Sequence, residues 1–159
     1  ARRQTFQRQH QDPPRGSSAV TPLVVDASIV VKWLLPELYS APARRVLAES
    51  NELLVPDLLW AELGNVLWKK SRAGELTAEE ARDLLQDLRR FPIRTIPSFG
   101  LIGPALEIAT RFGRSVYDCL YLALAMSRRC QVVTSDRRLY ASLKKGPLAP
   151  CLLWVEDVR

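Results

Sequence analysis

Four carboxylates in this chain stand where an acid is hard to explain as ordinary surface. Asp26 interrupts the apolar run Leu23-Val24-Val25-Asp26-Ala27-Ser28-Ile29-Val30-Val31-Lys32-Trp33-Leu34-Leu35, and Asp136 follows Gln131-Val132-Val133-Thr134-Ser135. Glu62 is embedded in Leu58-Leu59-Trp60-Ala61-Glu62-Leu63-Gly64-Asn65, and Asp118 in Tyr117-Asp118-Cys119-Leu120-Tyr121-Leu122-Ala123-Leu124-Ala125. An acid buried in such surroundings costs on the order of several kcal/mol unless a cation or a set of N–H groups satisfies it. Acids gathered in low dielectric also raise one another's pKa, so a constellation of this kind usually exists to hold a cation. The single histidine, His10, lies in a polar stretch, and Cys119, Cys130 and Cys151 form no C-x-x-C pair. With no soft ligand on offer, the expected cation is a hard one, Mg²⁺ or Mn²⁺. Simpler readings stay open: helix capping for Asp26 and Asp136, and a surface stripe with Asn65 and Lys69 for Glu62.

The other acids explain themselves. Glu79, Asp83 and Asp87 follow one another at i, i+4 spacing and, with Arg82, Arg89 and Arg90, read as a solvated helix face. Glu49, Glu52, Glu75, Glu107, Glu156 and Asp157 fall near element ends or on polar faces.

The elements that must position the four acids follow from hydrophobic patterning and turn chemistry. Strands are expected at Leu23 to Ala27, Leu53 to Val55, Ile93 to Ile96, Gln131 to Thr134 and Cys151 to Val155. Between them helices are expected from Ile29 to Leu35, stopped by Pro36, and from near Pro42 to Glu49 with Ser40 as cap. A long helix capped by Asp57 runs through Lys70, and a Thr77-Ala78-Glu79-Glu80 capping box opens one that reaches about Arg90. Further helices span Gly100 to Phe112, ended by Gly113, Ser115 to Arg129, and Arg137 to Leu143. Alternation of this sort predicts an α/β fold, one domain with a central, mostly parallel sheet flanked by helices. Asp26 and Asp136 then lie at the carboxyl ends of strands, where open α/β sheets bind ligands.

Length and composition agree with one domain. The chain has 159 residues and a net charge of +6, of which residues 1–21 supply +3 through four arginines against one aspartate. That stretch is rich in Gln, Arg, Pro and Ser and reads as a disordered basic tail preceding a domain over residues 22–159. No apolar run approaches the ~20 residues a membrane helix needs, and a soluble, cytoplasmic protein is expected. The mild basicity permits phosphate contact without demanding it.

In their order these segments resemble the PIN-domain ribonucleases, most closely the VapC-type toxins of bacterial toxin–antitoxin pairs. The resemblance is carried by VVDASIVVKWLLPE (Val24 to Glu37), VPDLLWAELGNVLWKKSRAGELTAEEA (Val55 to Ala81) and SVYDCLYLALAMSRRCQVVTSDRRL (Ser115 to Leu139). It places the family's metal-binding acids on Asp26, Glu62, Asp118 and Asp136. Ser28 and Ser135 take positions of small hydroxyls near the metal, and Asn65 sits one turn beyond the glutamate. The resemblance implies endonucleolytic cleavage of RNA dependent on Mg²⁺ or Mn²⁺, with water as nucleophile and a 5′-phosphate product. It also implies a cognate antitoxin protein and a homodimer. Arg137, Arg138, Lys69, Lys70 and Arg72 are the residues expected to meet RNA phosphates. Apolar surface around Trp33, Trp60 and Trp68 offers a groove for an antitoxin helix or a dimer face. A catalytically silent PIN scaffold that binds RNA or protein is the alternative. An aspartyl-phosphate phosphatase is not, because Asp26-Ala27-Ser28 lacks a second aspartate two residues on.

Overall fold

β-Branched and leucine-rich runs form five strands, and in the computed structural model, which describes residues 20–48 and 50–159, all five are parallel. They are β1 (Thr21–Val25), β2 (Asn51–Pro56), β3 (Ile93–Ile96), β4 (Gln131–Thr134) and β5 (Leu152–Trp154), in the order β3-β2-β1-β4-β5. The helices among the described residues are α1 (Ala27–Leu34), α2 (Ser40–Arg45), α3 (Leu58–Arg72), α4 (Ala78–Asp87), α5 (Ile102–Phe112), α6 (Val116–Arg128) and α7 (Arg137–Leu143). The proposed tail lies, up to residue 19, outside the described residues; β1 begins within its last residue, Thr21.

Period-2 alternation sorts the strand side chains onto two buried faces. Leu23, Val25, Leu53, Val55 and Val133 pack with Ile29 and Trp33 of α1 and Leu59 and Leu63 of α3. Val24, Leu54 and Val132 face the opposite way, against Ala105 and Ile108 of α5, Leu120 and Leu124 of α6, and Leu139 of α7. The result is a three-layer sandwich whose parallel strands all end at one edge.

Several helix starts differ from the sequence expectation. Ser40 does not cap α2; Tyr39 does, in a left-handed conformation (φ 70°), while the Ser40 hydroxyl accepts from the Glu37 amide at 2.9 Å and donates to the Leu35 carbonyl at 3.3 Å. Nor does the Asp57 side chain cap α3: its Oδ1 accepts from the Ser98 amide (3.1 Å) and hydroxyl, tying β2 to the turn after β3. A 3₁₀ turn, Ser98–Leu101, delays α5 to Ile102. The Thr77–Glu80 capping box forms, Gly113 ends α5 at φ 63°, and Ser115 caps α6 by accepting from the Asp118 amide at 3.1 Å. No helix among the described residues is long and apolar enough to cross a membrane.

Candidate active site

The pairing of β1 with β4 builds the centre of the site. Val25 is in register with Val133, so Asp26, the first residue past β1, and Thr134, the last residue of β4, emerge side by side at the carboxyl edge. Asp26 occupies the N-cap position of α1, yet its side chain makes no capping bond. Its Oδ2 instead accepts from the hydroxyls of Thr134 at 2.6 Å and Ser28 at 2.7 Å. Ser28 in turn accepts from the Ser135 amide at 3.1 Å, and the Ser135 hydroxyl donates to the Ser28 carbonyl at 3.2 Å. Both small hydroxyls singled out in the sequence thus lock the end of β1 to the end of β4.

Thr134 is the residue that sequence reading missed. Fully buried, it donates to Asp26 and accepts from the Asp136 amide at 3.0 Å. The signal was available, since a hydroxyl ending an apolar strand one residue before Ser-Asp needs a buried partner.

Asp136 is exposed and does cap a helix: its Oδ1 accepts from the amides of Arg138 (2.7 Å) and Leu139 (3.1 Å) at the start of α7. Both bonds fall on one oxygen. Glu62, half-buried on α3, accepts a short hydrogen bond from the Tyr121 hydroxyl of α6. Because α3 belongs to one layer and α6 to the other, that bond bridges the two faces over the sheet edge. Tyr121 is the second residue missed; it lies three positions after Asp118, on the same helix face.

The electrostatics couple these acids. Burial pushes the Asp26 carboxyl well above the usual carboxylate range; the Thr134 and Ser28 hydroxyls pull it back in part, and Asp136 and Asp118 raise it further. Burial likewise raises Glu62, against the Tyr121 hydrogen bond and with the help of Asp26 and Asp118. The Tyr121 phenol is pushed far up by burial and by Glu62, Asp26 and Asp118. Among the described residues, the ion pairs join Lys32 and Lys70 to Glu37, Lys70 to Glu75, Arg90 to Asp87 and Arg94 to Glu52, and none reaches the four acids.

Among the described residues no group of three or more His, Cys, Asp or Glu side chains stands at the spacing that would ligate one ion directly. The donor chemistry nevertheless suits a hard divalent ion. It is all oxygen, it carries excess negative charge that no ion pair among the described residues offsets, and Mg²⁺ characteristically keeps several waters between itself and carboxylates.

The basic residues divide. Arg137 directly follows Asp136 in the chain, but its Nη2 donates to the Tyr39 hydroxyl, and Arg138 is exposed one residue on. Lys69, Lys70 and Arg72 lie at the other end of α3, seven to ten residues and so about 10–15 Å from Glu62. Lys70 is already held by Glu37 at 3.3 Å and Glu75 at 2.9 Å, and Arg72 lies over the Trp68 ring. Asn65 is exposed on α3, one turn beyond Glu62. Of the tryptophans expected to line a groove, Trp33 is core, donating to the Ala43 carbonyl at 2.8 Å. Trp60 is half-buried, and Trp68 is 52% exposed.

The model of the PIN domain matches residues 23–144, which holds all four acids. The chain belongs to the PIN domain family. Among its curated relatives is ribonuclease VapC3 of Pyrobaculum aerophilum, 35% identical over 119 residues, covering 74% of this chain and 91% of the relative. Ribonuclease VapC9 of Mycobacterium tuberculosis is 36% identical over 117 residues, covering 74% and 87%. Among solved structures, PAE2754 of Pyrobaculum aerophilum superposes with a TM-score of 0.62 at 27% identity, covering 86% of this chain and 85% of that one. VapBC2 of Rickettsia felis, solved bound to a DNA fragment from its promoter, gives the same TM-score at 16% identity, covering 84% and 98%, and supports the PIN fold alone.

Proposed function

We propose that this PIN-domain protein is an endoribonuclease dependent on Mg²⁺ or Mn²⁺, the toxin member of a toxin–antitoxin pair, with Asp26, Glu62, Asp118 and Asp136 as its metal-holding acids. The observation that carries this is Asp26: a buried carboxylate, clamped by two hydroxyls and coupled to Asp118, Asp136 and Glu62, with no ion pair to it among the described residues. The naming of its curated relatives as VapC ribonucleases supports the reaction class.

The chain's own residues divide the work. Thr134 and Ser28 fix the Asp26 carboxylate in one orientation, and the Tyr121 hydroxyl does the same for Glu62 across the sheet edge. Asp136 is oriented by the first amides of α7, which occupy only one of its oxygens. The carboxylates of Asp26, Glu62, Asp118 and Asp136 would hold a divalent ion, which would supply Lewis-acid stabilisation of the phosphoryl group and activation of a water nucleophile. Arg137 and Arg138, next to Asp136 in the chain, bind the flanking phosphates; Lys69, Lys70 and Arg72, further along α3, are placed for phosphates more distant from the scissile bond.

A partner surface is available away from the acids. Gly64, Leu67 and Trp68 of α3 and Ala81 and Leu85 of α4 line an open, mostly apolar cleft of about 320 Å³, with Trp68 and Leu85 exposed. An antitoxin helix or a second copy of the chain is its proposed occupant. The activity is tested by incubating purified protein with single-stranded RNA and Mg²⁺ or Mn²⁺, with and without chelator. Cleavage that chelator abolishes and that leaves 5′-phosphate ends is expected. RNA binding without cleavage under any divalent ion selects the silent scaffold instead.

A further inference from the structure

We propose that Tyr39, Arg137, Tyr140, Lys144 and Trp154 form a nucleobase subsite, taking one unpaired base of single-stranded RNA beside the acid cluster. This rests on the nuclease reading above and names the form of the substrate. The five side chains line a cleft of about 310 Å³. Its floor is aromatic: Tyr39 meets Trp154 edge-on with ring centres 5.5 Å apart, and Tyr140 lies 5.1 Å from Trp154 at 42°. Two cations overhang the rings, the Arg137 guanidinium 5.6 Å from the centre of Tyr39 and the Lys144 ammonium 5.7 Å from that of Tyr140. Aromatic faces with interleaved Arg and Lys are the chemistry that binds single-stranded nucleic acid, where bases stack and phosphates pair.

The position of the cleft ties it to the site. Trp154 of β5 is in register with Thr134 of β4, the residue that donates to Asp26, so the backbone that carries the indole lies one strand spacing, about 4.8 Å, from the backbone that carries the site's central hydroxyl. Arg137 directly follows Asp136. Glu156 also lines the cleft, and its carboxylate is used internally, accepting from the Trp154 indole at 2.9 Å and fixing that ring. Tyr39 adopts positive φ, which aromatic residues rarely do, and that turn brings its hydroxyl to Arg137. An A-form duplex does not offer a free base face to such a cleft, whereas a single strand does.

The test measures binding of labelled single-stranded RNA octamers by fluorescence anisotropy in chelator, and cleavage of the same octamers with Mg²⁺. Trp154→Leu and Tyr140→Leu should each weaken binding about 10-fold, and Trp154→Phe should restore most of it. With the unaltered protein, a single abasic nucleotide walked along the octamer should weaken binding at one position by a similar factor. Leucine variants that bind like the parent, an abasic walk with no sensitive position, or duplex RNA that binds as tightly as single strands would each overturn the subsite. The two readings fail separately. Cleavage that persists while binding ignores the aromatic residues removes the subsite only; binding that depends on them without cleavage under any divalent ion keeps the subsite and removes the nuclease.

Discussion

Asp26 and Glu37 lie at opposite ends of α1, and the chain satisfies them by different means. Glu37 receives two lysines, Lys32 at 3.1 Å and Lys70 at 3.3 Å. Burial acts to raise its carboxyl, but the lysines outweigh that and hold it below its ordinary value. Asp26 receives only the hydroxyls of Ser28 and Thr134, and stays raised. At Glu37 the fold supplies cations from two helices, Lys32 of α1 and Lys70 of α3. At the carboxyl edge of the sheet no ion pair among the described residues reaches Asp26, and three more acids couple to it, the arrangement that supports the proposed cation site.

The strongest way to break the contrast is to neutralise one acid of each kind. Asp118→Asn should slow RNA cleavage at least ~10²-fold, equivalent to about 2.7 kcal/mol of transition-state stabilisation, whereas Glu37→Gln should leave the cleavage rate within a factor of about two. Single-turnover assays on one RNA compare them. Removing a hydroxyl sharpens the comparison: Thr134→Val keeps the shape but takes a donor from a buried carboxylate, and should slow cleavage about 10-fold.

The pH response should have opposite sign at the two places. Asp26 and Glu62 have raised folded pKa values, so their contribution to stability is present at low pH and lost as pH rises through those values. In chelator, the melting temperature should therefore fall as pH rises above the ordinary carboxylate values of 3.8 and 4.5, and Asp26→Asn should blunt that fall. Glu37, depressed below 4.5, contributes stability above that value that is lost as pH falls through its folded pKa. The smallest effect belongs to this pair itself. Glu37→Gln should destabilise the fold by about 1 kcal/mol or less, because the ion pairs are partly solvated; urea unfolding at neutral pH measures it.

Much of the site was legible in the sequence because burial of an acid leaves a mark in the pattern. Asp26 and Asp118 stand out against apolar neighbours, and the strand ends follow from alternation and turn residues. What escaped depends on register. Thr134 and Tyr121 look like any strand-end threonine and any buried tyrosine until β1 pairs with β4 and α3 meets α6. Cap assignments failed for a related reason: Asp57 and Ser40 have the right type at the right place, but Ser98 and the Glu37 turn compete for their oxygens. Lys69, Lys70 and Arg72 lie about two to three turns along α3 from Glu62, so any RNA phosphate they meet lies away from the one at the acids.

The central claim is that the acid cluster is completed by a divalent cation, and thermal melting with added Mn²⁺ tests it without any RNA. The unaltered protein should gain stability as Mn²⁺ rises from zero, by about 2.7 kcal/mol when the ion reaches one hundred times its Kd. Asp26→Asn should lose most of that gain, and Glu37→Gln should keep it. A melting temperature that does not move with Mn²⁺ at any concentration, or a gain that survives Asp26→Asn undiminished, would contradict the account.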